Sequence, residues 1–304
     1  MGHGKLKKFA ENETFRCLLQ PDASAILNKE PGSKALKLND HAIKGRWGQE
    51  MFGNDHPIVL ELGCGKGDYT IALARRHPEI NYIGVDIKGA RLWKGAKTAT
   101  EEQMPNVAFL RTRIEFIDAF FGPSEVSEIW LTFSDPQLRG SENARLSSPL
   151  FLERYRHFLI PGGIIHLKTD SRYLYEYTQA VVKVNDLQVL AYGTNIYQEG
   201  IHMPKSSLRD PSHPDGWATP SYAAEGGHGF RHVYPLLTDL DAVTQVQTFY
   251  ESMFLEMGLP ITYLAFCIDH EGLYRFPGEM FDHEKWLEAE GPRRSFSHQP
   301  NKKG

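Results

Sequence analysis

The stretch LELGCGKGDYTIALARRHPEINYIGVDI (60–87) holds the residue types best placed for chemistry. Gly63, Gly65 and Gly67 stand between a strand pattern and a helix pattern, where the absence of Cβ lets a backbone turn sharply and approach a ligand. A dinucleotide loop reads GxGxxG, and its third glycine position is taken here by Asp68, whose charge would repel a pyrophosphate at a helix N-terminus. Glu61 precedes the loop to give ExGxGxG, and Asp86 closes the following strand, where a carboxylate can accept both hydroxyls of a ribose. A cationic sulfonium compound with an unphosphorylated ribose suits such an acidic pocket, which points to S-adenosylmethionine and away from NAD. The plainer alternative is a tight strand-to-helix turn with Asp86 as a strand-end cap; the combination of Glu61, three glycines and a spaced acid favours the ligand.

Further acids recur at strand ends. Asp135 lies in TFSDPQLRG (132–140), at the carboxyl end of a strand, where open α/β sheets place their ligands. Asp-Pro is also a good turn former, so that role stands beside the functional one. Asp170 ends the next strand in HLKTDSRYLYEY (166–177) and could equally cap the helix that follows. In QTFYESM (247–253), Thr248 and Glu251 fall three apart on one helical face, with Phe249 and Tyr250 read alternatively as packing residues.

These groups need a scaffold, and the hydrophobic patterning supplies one. Strands are expected at 56–62, 81–86, 106–111, 126–133, 163–169, 187–192 and 261–268, and helices at 68–76, 88–103, 148–158, 171–185 and 243–257. The βαβα rhythm predicts an α/β protein with a mainly parallel sheet covered on both faces. Residues 1–55 read as a basic N-terminal segment, 56–271 as the main domain with an aperiodic Gly-, Pro-, Ser- and His-rich insertion at about 194–243, and 272–304 as an appendage ending in a loose tail.

Composition narrows the class. The 304 residues carry a net charge of −4, too acidic for a protein that grips nucleic acid by a dense cationic face. The balance is uneven: residues 1–50 hold nine Lys/Arg against six Asp/Glu, and 291–304 hold four Lys/Arg and no acid. Contact with a polyanion would therefore lean on the ends and a few placed arginines. Cys17, Cys64 and Cys267 are too scattered for a disulfide framework or a CxxC metal site. No apolar run is long enough for a membrane helix, and the opening MGHGKLKKFAENE has no apolar stretch behind its lysines, so a cytoplasmic protein is expected.

Taken together, ELGCGKG, GVDI, FSDP, HLKTD and TFYE occur in the order and spacing of the bacterial tRNA (guanine-N7)-methyltransferases, and KLKKFAENETF near the start resembles the opening of Bacteroidetes-type members. The resemblance covers roughly 1–193 and 243–268. It implies a class I methyltransferase-like (Rossmann-like) fold with a mostly parallel seven-stranded sheet, S-adenosylmethionine as methyl donor and tRNA as partner. It also implies a monomer or homodimer with no obligatory metal. By position it assigns Glu61, Gly63, Gly65, Gly67 and Asp86 to the donor, Asp135 to donor and catalysis, and Arg139, Asp170, Thr248 and Glu251 to the guanine-bearing substrate.

Departures from the family pattern are informative. Arg139 stands where the family commonly has Lys, keeping the cation but changing its hydrogen-bond fork. Arg113 occupies the position of an acid usually found on the adenine side. The basic run after the DP motif shrinks to LRGSENARL, leaving Arg139 and Arg145 against Glu142. A small-molecule or protein methyltransferase, or a cofactor- or tRNA-binding subunit without catalysis, are the competing readings. His202, His213, His228 and His232 fit no metal-ligand spacing. Of Tyr173, Tyr175 and Tyr177, which could stack on a base, at least one should be core or plain surface.

Overall fold

The computed structural model describes residues 3–28, 37–204 and 240–294. Ten strands are present among them: β1 Leu18–Leu19, β2 Leu27–Asn28, β3 Lys37–Leu38, β4 Ile58–Leu62, β5 Asn81–Asp86, β6 Val107–Arg111, β7 Val126–Thr132, β8 Leu159–Thr169, β9 Val189–Gly193 and β10 Thr262–Cys267. Eight form one sheet in the order β1-β6-β5-β4-β7-β8-β10-β9, while β2 and β3 pair separately. Pairing is parallel from β1 through β8, and β10 runs antiparallel between β8 and β9. The sheet thus has one strand more than the seven expected. The addition is Leu18–Leu19, which comes from the N-terminal segment and pairs with the β6 edge.

Helices are α1 His3–Asn12, α2 Ala23–Ile26, α3 Asp68–Arg76, α4 Gly89–Glu101, α5 Pro149–Arg156, α6 Arg172–Val184, α7 Asp241–Gln245, α8 Phe249–Glu256 and α9 His283–Arg294. Local signals account for several boundaries. Ser148 caps α5 ahead of Pro149, whose missing N–H costs nothing at a helix start. α3 opens on Asp68 and closes on Arg75 and Arg76, charges that complement the helix dipole.

Strand alternation divides the interior into two layers. Ile58, Leu60 and Leu62 of β4 join one apolar cluster with Ile83, Leu110, Leu131 and Leu167; Val59 joins a second with Tyr69, Leu92, Phe109 and Trp130. Each fully buried side chain of this size contributes about 1.5–3 kcal/mol. The second layer also encloses a polar triad. Glu128 Oε2 lies 2.8 Å from His166 Nε2, His166 Nδ1 lies 2.8 Å from the Tyr263 hydroxyl, and Trp130 stacks on the imidazole at 4.1 Å.

One helix expectation is corrected. The helix anticipated at 243–257 is two helices, α7 and α8, separated by Val246–Thr248. Within the 272–304 appendage, α9 packs on α6, and Phe281 sits edge-on to Tyr173 and Tyr177 with ring centroids 5.1 and 5.4 Å away. Residues 205–239, most of the insertion with His213, His228 and His232, lie outside the described residues, as do 295–304. His202 pairs through its backbone with Tyr192.

Candidate active site

Strand order reverses at β4, whose neighbours are β5 on one side and β7 on the other, and the loops leaving β4 and β7 therefore diverge around a crevice at the carboxyl edge of the sheet. The glycine loop follows β4. Gly63 and Gly65 have φ of +80° and +58°, with open space where a Cβ would project, so the backbone itself forms the floor of a cradle. Gly67 differs: a Cβ there would stand 2.6 Å from the Phe109 ring, so this glycine lets the loop press onto the second apolar layer.

Glu61 and Asp86 hold the cradle from below. Asp86 accepts the Gly65 N–H at 3.0 Å through Oδ2 and the Lys88 N–H at 2.7 Å through Oδ1. Glu61 faces the second layer like Val59 and is buried. Its Oε2 accepts the Thr70 N–H and hydroxyl at 2.9 and 2.5 Å, and its Oε1 accepts the Thr132 hydroxyl at 2.5 Å. Burial pushes the Glu61 carboxyl up to about 7, against the pull of those three hydrogen bonds. Cys64, between the glycines, is also buried; desolvation first, then Glu61 and Asp86, push its thiol well above the ordinary range, so it is a poor nucleophile.

Asp135 stands across the crevice, exposed at the end of β7, with Oδ1 accepting the Gln137 N–H at 2.9 Å. That bond is the turn-forming role allowed by the sequence, and it leaves the carboxylate facing solvent. Phe133 and Gln137, two residues to either side, have φ of +52° and +50°. Side-chain-bearing residues seldom adopt this conformation, which costs about 1–3 kcal/mol each and persists only where surrounding contacts impose it. Arg139 is exposed on the same loop. Asp170 follows β8. The helix cap next to it is Ser171, whose hydroxyl accepts the Leu174 N–H at 3.1 Å, so the capping alternative belongs to its neighbour.

Thr248 and Glu251 form a capping box at the start of α8: Thr248 Oγ1 accepts the Glu251 N–H at 3.2 Å and Glu251 Oε2 accepts the Thr248 N–H at 3.3 Å. The Glu251 carboxylate is fully buried, with Oε1 2.7 Å from Lys168 Nζ and accepting the Tyr197 hydroxyl at 2.7 Å. Burial lowers the Lys168 ammonium from its usual range, and Glu251 opposes that shift. Phe249 and Tyr250 do not pack inward, being 55% and 44% exposed, and Lys66 of the glycine loop lies 4.5 Å over the Phe249 ring. The packing role that the sequence offered for these aromatics is thus not the one they have, and Ile87, 53% exposed just past Asp86, is a crevice-side residue that sequence reasoning passed over. Its apolar character beside a cofactor-type acid was the available signal.

Other expectations fare differently. Arg113 pairs with Glu115 at 3.2 Å. Tyr173, Tyr175 and Tyr177 are all buried, so none is a stacking platform for a base. Arg145 is 3% exposed and is removed from the surface on which the basic run would meet phosphates.

Residues 55–208 match the family model described as a putative methyltransferase. A tRNA (guanine-N(7)-)-methyltransferase of Bacteroides thetaiotaomicron is 40% identical over 277 residues, covering 91% of this chain and 90% of that protein. Another from Christiangramia forsetii is 42% identical, covering 87% and 97%. The chain belongs to the tRNA (guanine-N7)-methyltransferase family. As a member of that family it is an S-adenosylmethionine-dependent enzyme, and the cradle fits such a donor: an open glycine floor flanked by carboxylates suits a cationic nucleoside. Among solved structures, this tRNA (guanine-N7)-methyltransferase family member is similar to a 16S rRNA (adenine(1408)-N(1))-methyltransferase determined with its cosubstrate, at 15% identity and a TM-score of 0.43 over 76% of this chain and 93% of that one. No described helix is long and apolar enough to cross a membrane.

Proposed function

We propose that this chain methylates guanine N7 in the variable loop of tRNA, acting in the cytoplasm as a monomer or homodimer without an obligatory metal. The observation that carries the reading is the meeting, at one switch point, of the glycine cradle with Glu61 and Asp86 on one side and Asp135 on the other. S-adenosylmethionine, when bound, supplies an electrophilic methyl group on a sulfonium. Gly63 and Gly65 would give its backbone floor, Gly67 letting the loop pack on Phe109 beneath them, Asp86 would meet the ribose hydroxyls, and Glu61 would add negative potential beneath the donor. The exposed Ile87 side chain gives an apolar surface for the adenine, where Arg113 cannot replace a carboxylate.

Guanine N7 has an in-plane lone pair and no proton, so its attack needs no base. Rate then depends on how closely and how well aligned the chain's residues hold the purine edge to the methyl group that the donor would present. Asp135 faces the developing positive charge of the purine and stabilises it. Arg139 and Asp170, on the two loops beside the crevice, engage the guanine. Thr248 and Glu251 serve the substrate by fixing the start of α8, which presents Phe249 and Tyr250. The test is mass spectrometry of unmodified tRNA incubated with the protein and isotope-labelled donor. Labelled 7-methylguanosine is expected; label in protein or small-molecule acceptors instead, with none in tRNA, would refute the reading.

A further inference from the structure

A buried arginine without a carboxylate partner needs an explanation, because an isolated charge is costly to desolvate. Arg145 makes no ion pair at contact distance among the described residues; the Glu142 carboxylate acts on Tyr173 and Tyr177, the same tyrosines that the guanidinium covers. Arg145 Nε donates to the Pro136 carbonyl at 3.1 Å, its Nη2 donates to the Gln137 carbonyl at 3.5 Å and to the Tyr173 hydroxyl at 2.6 Å, and its guanidinium lies over the rings of Tyr173 and Tyr177 at 5.0 and 4.5 Å. Pro136 and Gln137 directly follow Asp135. The guanidinium therefore ties the loop bearing Asp135 to the first turn of α6, the helix that starts two residues after Asp170.

The C-terminal extension grips the same turn from the other side. The Tyr173 hydroxyl, which accepts from Arg145, has its own proton to give, and His283 Nδ1 lies 2.6 Å away to take it. Glu290, 2% exposed, accepts the Tyr173 N–H at 3.2 Å, placing a carboxylate at the N-terminus of α6. Phe281 closes edge-on against Tyr173 and Tyr177. A continuous line of contacts thus runs from α9 through Tyr173 and Arg145 to the backbone beside Asp135.

We propose that Tyr173 and Arg145 are positioning residues through which the C-terminal extension sets the separation of the Asp135 and Asp170 loops, so that guanine and donor meet at attacking distance. The inference rests on the proposed role of Asp135 in methyl transfer. It explains why the strained segment 133–137 holds its shape: Arg145 pins the two carbonyls that follow Asp135. It also gives the extension a task within the reaction rather than beside it.

Full-length Tyr173→Phe, Arg145→Lys, their double variant, Glu290→Gln and Asp135→Ala test this together. Tyr173→Phe keeps the ring and its packing, losing only the hydroxyl. Expected are a kcat about tenfold lower in Tyr173→Phe and Arg145→Lys, a double variant no worse than the poorer single one, a several-fold loss in Glu290→Gln, and a Kd for S-adenosylmethionine within twofold of the parent. Amide hydrogen exchange of the 134–140 peptide should quicken in the same variants. Parent kcat and parent exchange in Tyr173→Phe and Arg145→Lys, even with a lower melting temperature, overturn the proposal. If Asp135→Ala keeps the parent rate, the reading of Asp135 fails instead, and the exchange data alone then decide whether the clamp exists.

Discussion

The Lys168 ammonium stands 2.7 Å from the Glu251 carboxylate with neither side chain exposed to solvent. Lys168 also donates to the Val246 carbonyl at 2.9 Å, so the pair joins β8 to the segment leading into α8. Removing one partner leaves a buried charge uncompensated. Lys168→Met should cost about 3–5 kcal/mol in stability, and a Lys168→Met, Glu251→Leu double variant should cost much less than the single change. Urea unfolding of both variants checks this, and equal losses would show that the charges are not coupled.

Glu61 makes stability depend on pH. Its carboxyl titrates at about 7 in the fold against 4.5 for an ordinary glutamate, so folding favours the protonated form. The resulting stabilisation is complete below about pH 4.5 and is lost as pH rises through about 7, an effect of about 3 kcal/mol at about 1.4 kcal/mol per pH unit. Glu61→Gln should flatten the decline in stability seen between pH 5 and 8. A cationic donor bound nearby favours the ionised carboxylate. Affinity for S-adenosylmethionine should therefore rise over the same interval in the parent and stay level in Glu61→Gln, as calorimetry at several pH values would report.

Asp135→Ala should lower the single-turnover rate of tRNA methylation by about 100-fold or more, as removal of a group stabilising developing charge does. Donor affinity should change only a few-fold, since the cradle itself is built by other residues. A rate equal to the parent's would exclude the role given to this carboxylate.

Phe249→Ala and Tyr250→Ala should each weaken tRNA binding by about 1–3 kcal/mol if their exposed rings stack on bases. Melting temperature should hardly move, because neither ring is part of the core. Filter binding paired with thermal unfolding separates the two effects.

Deleting 295–304, the residues beyond α9, removes Lys302 and Lys303 and no acid. The expected result is weaker tRNA binding with a shallower salt dependence, the slope falling by about 0.7–0.9 for every phosphate that the tail no longer neutralises. kcat at saturating tRNA should hold. An unchanged slope would mean that the tail does not touch the polyanion.

Much of the central fold was legible because its elements obey strong local rules. α3 and β5 have the very bounds read from the residues, 68–76 and 81–86, one defined by capping glycine and terminal charges, the other by a buried apolar run. The break before α8 was also written locally. Thr248 and Glu251 have capping-box spacing, which marks a helix start rather than one face of a longer helix. Leu18–Leu19 was illegible because two residues carry no periodicity, and their pairing with β6 is a tertiary choice. At the candidate site, the acids and glycines could be named from type and spacing. Burial of Arg145 and the left-handed Phe133 could not, since both depend on partners such as Tyr173 and Lys168, whose carbonyl accepts the Phe133 N–H at 2.8 Å.

The enclosed Glu128–His166–Tyr263 string bears on how the chain's last strand finds its slot. β10 enters between β8 and β9, and only the pairing that sets Ala265 opposite His166 brings the Tyr263 hydroxyl to the imidazole. A slip of two residues would keep an apolar face inward and leave the Glu128–His166 contact between β7 and β8 intact, yet deprive His166 Nδ1 of its hydroxyl partner in a dry interior. The Tyr263 hydroxyl thus proofreads the insertion, because misaligned sheets that hydrophobicity alone would tolerate leave a buried imidazole nitrogen unpaired.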